Sequence, residues 1–211
     1  MAVPSKTPTD IPGKRSGWTL PQPPTVRPPR PLSTRLADVT DKPEWLLEVQ
    51  PWGQVPIMRD GDIVLFESGA TLLHLSEKSE ALLPRDQQQR AAAISWLLGA
   101  FNSVEPWLFE WTNVTAFARD EEWAKLRRPS LEEFIAKRLA PLEDWLGESF
   151  TIADIAMVTV LRAIGGSQLL ADHPATKAYV ARGEARPAFQ RAMSDQLAAF
   201  DRHGPSASQG E

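Results

Sequence analysis

The sequence predicts a small α/β domain followed by an all-α helical bundle. Short strand-type segments occur between residues 34 and 67, and two of them flank a turn at Gly61. From residue 86 onward, apolar residues recur at helical spacing almost to the end of the chain. We therefore place the first domain at residues 34–83 and the helical domain at residues 86–201, with a loose tail over residues 202–211.

The first 33 residues differ in composition from the rest of the chain. Nine of the 19 prolines lie within the first 36 residues. Proline lacks a backbone N–H, so it disfavours both helix and sheet. We therefore expect residues 1–33 to form a proline-rich, disordered leader.

The overall composition excludes several classes of function. The 211 residues carry a net charge of −4, so the chain lacks the basic surface that nucleic-acid binding requires. It has neither an apolar run that could span a bilayer nor a signal peptide, so we expect no membrane partner and a cytoplasmic location. Without cysteine it has no disulfide and no cysteine nucleophile, and its three histidines lack metal-ligand spacing, so we expect no metal.

The first domain is predicted to contain two helices and three strands. A short strand at residues 34–39 precedes a helix at 42–49. Strands at 55–60 and 62–67 form a β-hairpin, because the tight turn between them carries a glycine. Leucines at helical spacing then predict a helix over residues 68–80.

The helical domain is predicted to open with two long helices. Asp86 and Gln89 have the spacing of a capping box, which marks the start of the first helix, and Pro106 predicts a kink within it. Ser130 and Glu133 have the same spacing, so we expect them to cap the second helix.

Three further helices are predicted to complete the bundle. The segment at residues 150–166 is almost wholly apolar and therefore buried, and Thr151 with Asp154 forms its capping box. Two shorter helices are expected at residues 174–182 and 187–201.

Two stretches of the chain resemble the cytosolic glutathione S-transferase family. They are KPEWLLEVQPWGQVPIMRDGDIVLFESGATLLHLSEK, residues 42–78, and FTIADIAMVTVLR, residues 150–162. The resemblance implies an α/β thioredoxin-like N-terminal domain followed by the all-α helical-bundle domain. The first domain is apparently incomplete, because residues 1–33 contain no recognisable first strand and helix. It also implies a homodimer that uses glutathione as co-substrate and needs no cofactor.

The resemblance assigns glutathione-binding roles to four residues. Val55, held by a cis bond to Pro56, would bind the cysteinyl backbone of glutathione. Ser68 would begin a helix, whose unpaired N–H groups attract the γ-glutamyl carboxylate, and Glu67 would take the ammonium group. Gln54 would contact the glycyl end. A helix cap alone would also explain Glu67 and Ser68.

Four other side chains have weaker expectations. By resemblance, Trp107 and Trp111 border a pocket for a hydrophobic co-substrate, although aromatic residues at helical spacing commonly pack in a core. Lys42 would contact the glycyl carboxylate of glutathione. His74 is expected only to pack on its helix.

The resemblance implies conjugation of the glutathione thiol to a small hydrophobic electrophile. No catalytic residue can be identified from the sequence, because no serine or threonine of the leader follows a recognisable strand and the single tyrosine, Tyr179, falls in a late helix. Two alternatives remain. The chain is a non-catalytic glutathione-binding or protein-interaction module of the same fold, or a chain with a damaged N-terminus.

Overall fold

The computed structural model describes residues 42, 44–145 and 149–203. The predicted leader, the strand at residues 34–39 and residues 204–211 of the tail lie outside the described residues. The described helices and strands, in chain order, are α1 Glu44–Val49, β1 Ile57–Asp60, β2 Ile63–Phe66, α2 Ser68–Ser76, α3 Gln87–Gly99, α4 Glu105–Thr112, α5 Glu122–Trp145, α6 Ile152–Leu161, α7 Gln168–Ala171, α8 Pro174–Glu184 and α9 Pro187–His203. The prediction of a small α/β region followed by a helical domain is confirmed.

The predicted hairpin is present. Strands β1 and β2 pair in antiparallel fashion, with Ile57 opposite Phe66 and Asp60 opposite Ile63. Gly61 turns the chain between them at a φ of 60°, a backbone region that glycine enters without steric penalty. Within the described residues, this hairpin is the whole of the sheet.

Helix α2 is shorter than predicted. It begins at Ser68, as the sequence indicates, but ends at Ser76 rather than at residue 80. The Ser76 hydroxyl donates to the Leu73 carbonyl, and the next residues form turns, with Ser79 N donating to Ser76 O. The chain therefore leaves the helix one turn early, before it enters the helical domain.

The irregularity predicted at Pro106 is a π-helical turn. Residues Ala100–Val104 form this wider turn between α3 and α4, and Glu105 N donates to Ala100 O five residues back. Pro106 lies in the first turn of α4, directly after this wider turn. A second π turn, Asn113–Phe117, follows α4.

The predicted start of the second long helix is wrong. Helix α5 begins at Glu122 and continues through Pro129, so Ser130 and Glu133 lie inside it and cap nothing. The Ser130 hydroxyl instead donates to the Arg127 carbonyl, and Glu133 pairs with Lys137 one turn further on.

The centre of the helical domain is α6. As predicted, Thr151 accepts from Ala153 N and Asp154 accepts from Thr151 N, which together form a capping box. The Tyr179 hydroxyl of α8 donates to the same Asp154 at 2.9 Å. Burial and the Asp154 carboxylate raise the pKa of Tyr179, so the phenol stays protonated.

Helices α3, α4 and α8 pack against α6, and α5 packs against α4 and α8. The core includes Leu97, Leu108, Leu131, Ile135, Leu139, Leu142, Ile152, Met157, Leu161 and Ile164. None of the described helices is both long and apolar enough to cross a membrane.

Candidate functional site

The first part of the candidate site is the loop before β1. The peptide bond between Val55 and Pro56 is cis, as predicted. Val55 is 60% exposed, and Gln54 is exposed beside it. An apolar residue so open to solvent, next to a paired strand, leaves main-chain groups available to an extended peptide.

The second part is the start of α2, which follows β2 directly. Glu67 adopts a φ of 71° and a ψ of 126°, so it is a non-glycine residue in a disfavoured backbone region. Ser68 is the first residue of the helix, where backbone N–H groups lack helical partners and the helix dipole is positive. Residues held in such conformations cluster at ligand-binding sites. This turn therefore leaves the N-terminus of α2 directly after a residue of disfavoured backbone conformation.

Trp52 lies beside both parts. Its ring meets Phe66, the last residue of β2, in a T-shaped contact with centroids 5.8 Å apart. Lys42 Nζ donates to the Trp52 carbonyl at 3.1 Å, and its side chain packs over Gly53. The Lys42 ammonium thus helps to hold the loop that carries Gln54.

Glu105 is a further candidate for the site, which the sequence alone does not indicate. Glu105 is exposed, but partial desolvation of its carboxyl raises its pKa, and the nearby Glu67 carboxylate raises it further. The approach of α2 to the π turn brings the two together, because a Cβ on Gly69 would lie 3.5 Å from the Phe101 ring. Glu67 and Glu105 are far apart in sequence, so no local motif could have linked them.

Trp107 and Trp111 lie in the interface between α4 and α5. The Trp107 ring packs against the Phe134 ring in a tilted contact, with centroids 4.4 Å apart and planes at 56°. Trp111 Nε1 donates to Glu132 Oε1 at 3.1 Å. Both indoles are partly buried against the core. Their role in a co-substrate pocket stays a prediction.

The expectation that His74 only packs on its helix is wrong. His74 Nε2 lies 2.7 Å from Asp60 Oδ2, across the gap between α2 and the end of β1. Lys78 Nζ donates to the same oxygen at 2.6 Å. These hydrogen bonds hold the pKa of Asp60 below its usual value, with Lys78 the larger influence. The described residues contain no cluster of His, Asp or Glu that could hold a metal ion.

Comparison with known proteins finds a matching family model and several sequence relatives. A family model described as the N-terminal domain of glutathione S-transferase matches residues 33–77. The disulfide-bond oxidoreductase YfcG of Escherichia coli strain K12 is 31% identical over 166 residues, which are 72% of this chain and 76% of the relative. A glutathione S-transferase from Hyoscyamus muticus is 28% identical, over 72% of this chain and 79% of the relative.

A solved structure is also similar to this chain. It is a glutathione transferase family member from Pseudomonas fluorescens pf-5, crystallised with two glutathione molecules bound. It is 30% identical to this chain, with a TM-score of 0.62 over 69% of this chain and 72% of its own length.

Proposed function

Because the chain belongs to the glutathione S-transferase family, we propose that it binds glutathione between Val55 and the start of α2 and transfers the glutathione thiol to a small hydrophobic electrophile. The observation that carries this proposal is the positive φ of Glu67, the residue directly before the start of α2 at Ser68. A strained turn that exposes helix N–H groups beside an open loop is suited to a peptide with a free carboxylate.

Glutathione matches the chemistry of this turn. Its γ-glutamyl end carries a carboxylate and an ammonium on one carbon. The Ser68 hydroxyl and the first N–H groups of α2 receive the carboxylate, while Glu67 and Glu105 receive the ammonium. The cation removes the repulsion between the two carboxylates, so binding relieves an unfavourable interaction in the free protein.

The rest of the tripeptide runs toward the loop before β1. The cysteinyl N–H and C=O pair with the main chain of Val55, in the way that a strand adds to the edge of a sheet. Gln54, the residue before Val55, takes the glycyl end. In this direction, the cysteinyl thiol lies near Val55, in the loop before β1.

The thiol of glutathione is the reacting group, because the chain has no cysteine of its own. In the conjugation reaction the thiolate sulfur forms a bond to the electrophilic carbon, and the leaving group departs with its electron pair. Trp107 and Trp111 are proposed to border the electrophile, with Trp111 oriented by Glu132.

A second candidate function is the reduction of disulfides by glutathione. It is favoured by the 31% identity to a protein named as a disulfide-bond oxidoreductase and by the two glutathione molecules in the related structure. The thiolate of a first glutathione molecule attacks the substrate disulfide, which gives a mixed disulfide and a free thiol. A second glutathione thiolate then releases the other thiol as glutathione disulfide forms.

One pair of assays separates the two reactions. The full-length protein is incubated with glutathione and either 1-chloro-2,4-dinitrobenzene or hydroxyethyl disulfide, and product formation is compared with the rate without protein. Turnover of the aryl chloride, lost in a Glu67→Ala, Ser68→Ala variant, supports conjugation. Turnover of the disulfide alone supports reduction. Binding of glutathione without turnover of either substrate supports a non-catalytic module.

The proposal also covers the oligomeric state and the cellular location of the protein. We expect a homodimer, for which the exposed apolar residues Leu75 on α2 and Leu98 on α3 offer contact area. Light scattering of the purified protein measures this directly. The need for reduced glutathione favours a cytoplasmic location.

A further inference from the structure

Strand β1 has a second edge, on the side away from β2. A two-residue turn separates Asp60 from Ile63, which makes these two residues a hydrogen-bonded pair. Because hydrogen-bonded pairs alternate along an antiparallel ladder, Ile57 and Arg59 direct their N–H and C=O groups away from β2. Within the described residues, no backbone group pairs with this outer edge.

The outer edge of β1 is suited to a further strand that carries a negative charge. Unpaired groups along a strand edge bind another extended chain, and a two-stranded hairpin alone is only marginally stable. Arg59 is exposed at this edge and forms no ion pair with a carboxylate of the described residues. An added strand with a carboxylate opposite Arg59 would therefore satisfy both the backbone groups and the guanidinium.

The chain before α1 approaches β1 from the side where that strand begins. Lys42 Nζ donates to the Trp52 carbonyl at 3.1 Å, so Lys42 lies beside the loop that leads into β1 at Ile57. The predicted strand at residues 34–39, which lies outside the described residues, ends three residues before Lys42. Three residues span about 10 Å of extended chain. The end of that segment thus reaches the start of β1, and this order makes the two antiparallel.

We propose that residues 34–39 add a third strand to the sheet, antiparallel to the outer edge of β1, with Asp38 opposite Arg59. This register places a carboxylate beside the guanidinium, and opposite charges on directly opposed residues stabilise a sheet. The inference goes beyond the proposed function, because it concerns how the chain completes its first domain rather than what the domain binds.

The other face of the added strand is consistent with the same register. Side chains alternate between the two faces of a sheet, so Val39, which follows Asp38, lies opposite Met58. That face is covered by α2, because Asp60, two residues after Met58, bonds to His74 of α2. A slip by one residue would turn the carboxylate of Asp38 toward α2 and the apolar Val39 away from it.

A second copy of β1 fits this edge less well. Twofold antiparallel pairing centred on Arg59 would bring two guanidinium groups together, and like charges directly opposite each other destabilise a sheet. Pairing centred on Met58 would place Arg59 opposite the apolar Ile57 of the other copy. Neither arrangement supplies a carboxylate to Arg59.

The first test introduces a disulfide between the two strands. Val39 and Met58 would form a non-hydrogen-bonded pair with Cα atoms about 4.5 Å apart, a distance that a disulfide spans. The chain has no cysteine of its own, so the variant Val39→Cys, Met58→Cys contains only the two introduced thiols. After oxidation with diamide, non-reducing electrophoresis and mass spectrometry should show an intramolecular disulfide in most molecules.

The matched control is the variant Val39→Cys, Leu65→Cys. Leu65 lies opposite Met58 on β2, which is one strand further from Val39. Two strand spacings put the Cα atoms of residues 39 and 65 about 10 Å apart, beyond the reach of a disulfide. The control should therefore stay reduced under the same conditions.

Amide hydrogen exchange tests the edge in the wild-type protein. The Arg59 N–H should exchange about as slowly as the Met58 N–H, which pairs with β2. The variant Asp38→Lys places a like charge opposite Arg59, so it should speed exchange of the Arg59 amide about three- to tenfold. Asp10→Lys makes the same change of charge earlier in the chain and should leave that rate unchanged.

The outcomes separate the possible occupants of the edge. An intramolecular disulfide in Val39→Cys, Met58→Cys but not in its control, together with a slowly exchanging Arg59 amide, supports the added strand. Disulfides formed only between chains would place a second copy at the edge and overturn the inference. Fast exchange of the Arg59 amide in folded wild-type protein would show an open edge and also overturn it. None of these results depends on glutathione, so the proposed function is tested separately.

Discussion

The carboxylate of Glu67, at the start of α2, lies close enough to Glu105, at the start of α4, to raise the pKa of Glu105. Neither carboxylate forms an ion pair within the described part of the chain. Two like charges in proximity repel each other, which disfavours ionisation of both. Under the proposed function, the ammonium group of glutathione would relieve this repulsion.

Replacement of Glu105 by Gln should stabilise the glutathione-free protein. Because the folded state raises the pKa of Glu105, it binds that proton more tightly than the unfolded state, and ionisation at pH 7 favours unfolding. The carboxyl is partly solvated, so the gain should be small, about 1–2 °C in the thermal midpoint. The gain should vanish below pH 4.5, where the wild-type carboxyl is protonated.

The same variant should bind glutathione about three- to tenfold more weakly, because it loses one charged partner for the ammonium. Calorimetric titration at pH 7 measures this loss. A Glu105→Gln protein that is more stable and binds equally well would show that the two carboxylates do not share a ligand.

The backbone of Glu67 can be tested separately from its charge. Glu67→Gly removes both the carboxylate and the penalty for a positive φ, whereas Glu67→Ala removes the carboxylate alone. Glycine should therefore be the more stable variant by about 1 kcal/mol, or about 2–4 °C in the thermal midpoint. Both variants should lose affinity for glutathione.

Thermal unfolding of the two variants side by side gives the comparison directly. Equal midpoints would mean that the turn at Glu67 carries no backbone strain in solution. The Glu67 turn would then offer no support for a preformed binding site.

Local sequence signals predicted much of the fold. The hairpin around Gly61, the start of α2 at Ser68 and the capping box of Thr151 and Asp154 were all identified, because each depends on residues within a few positions of one another. The same is true of Asp86, whose side chain accepts from Gln89 N at 2.9 Å. Local chemistry is therefore enough to predict these features from the sequence.

Features that depend on distant residues or on competing local signals were missed. The electrostatic effect of Glu67 on Glu105 and the hydrogen bond between His74 and Asp60 link elements that only the tertiary fold brings together. The start of α5 was misplaced because Ser130 after a proline imitates a helix cap, while the helix tolerates Pro129 in its interior. Surrounding packing outweighed the local signal there.

Asp154 should be the most important buried polar residue for stability. Asp154→Ala removes half of the capping box and leaves the Tyr179 hydroxyl without its acceptor. We expect a loss of about 2–4 kcal/mol, which corresponds to about 5–10 °C in the thermal midpoint.

The matched control is Asp86→Ala, which removes a single bond at an exposed helix start and should cost about 1 kcal/mol. Equal losses for the two variants would contradict the role given to the Asp154–Tyr179 contact. Urea unfolding of both proteins measures the difference.

Glu67 and Ser68 are proposed to hold glutathione, and Trp52 offers a direct reporter of its binding. Its ring is exposed and contacts Phe66, the residue before Glu67. The first measurement is therefore a glutathione titration of the purified protein followed by tryptophan fluorescence. A Trp52→Phe variant identifies the part of the signal that comes from this residue.

We predict saturable binding in the millimolar range or tighter, weakened about 30-fold or more in the Glu67→Ala, Ser68→Ala variant because it loses contacts to charged groups. The control variant Ser130→Ala, Glu133→Ala changes the same residue types on the exposed face of α5 and should bind like the wild type. Folded protein that shows no saturable binding, or binding that survives in the Glu67→Ala, Ser68→Ala variant, would contradict the assignment of the site.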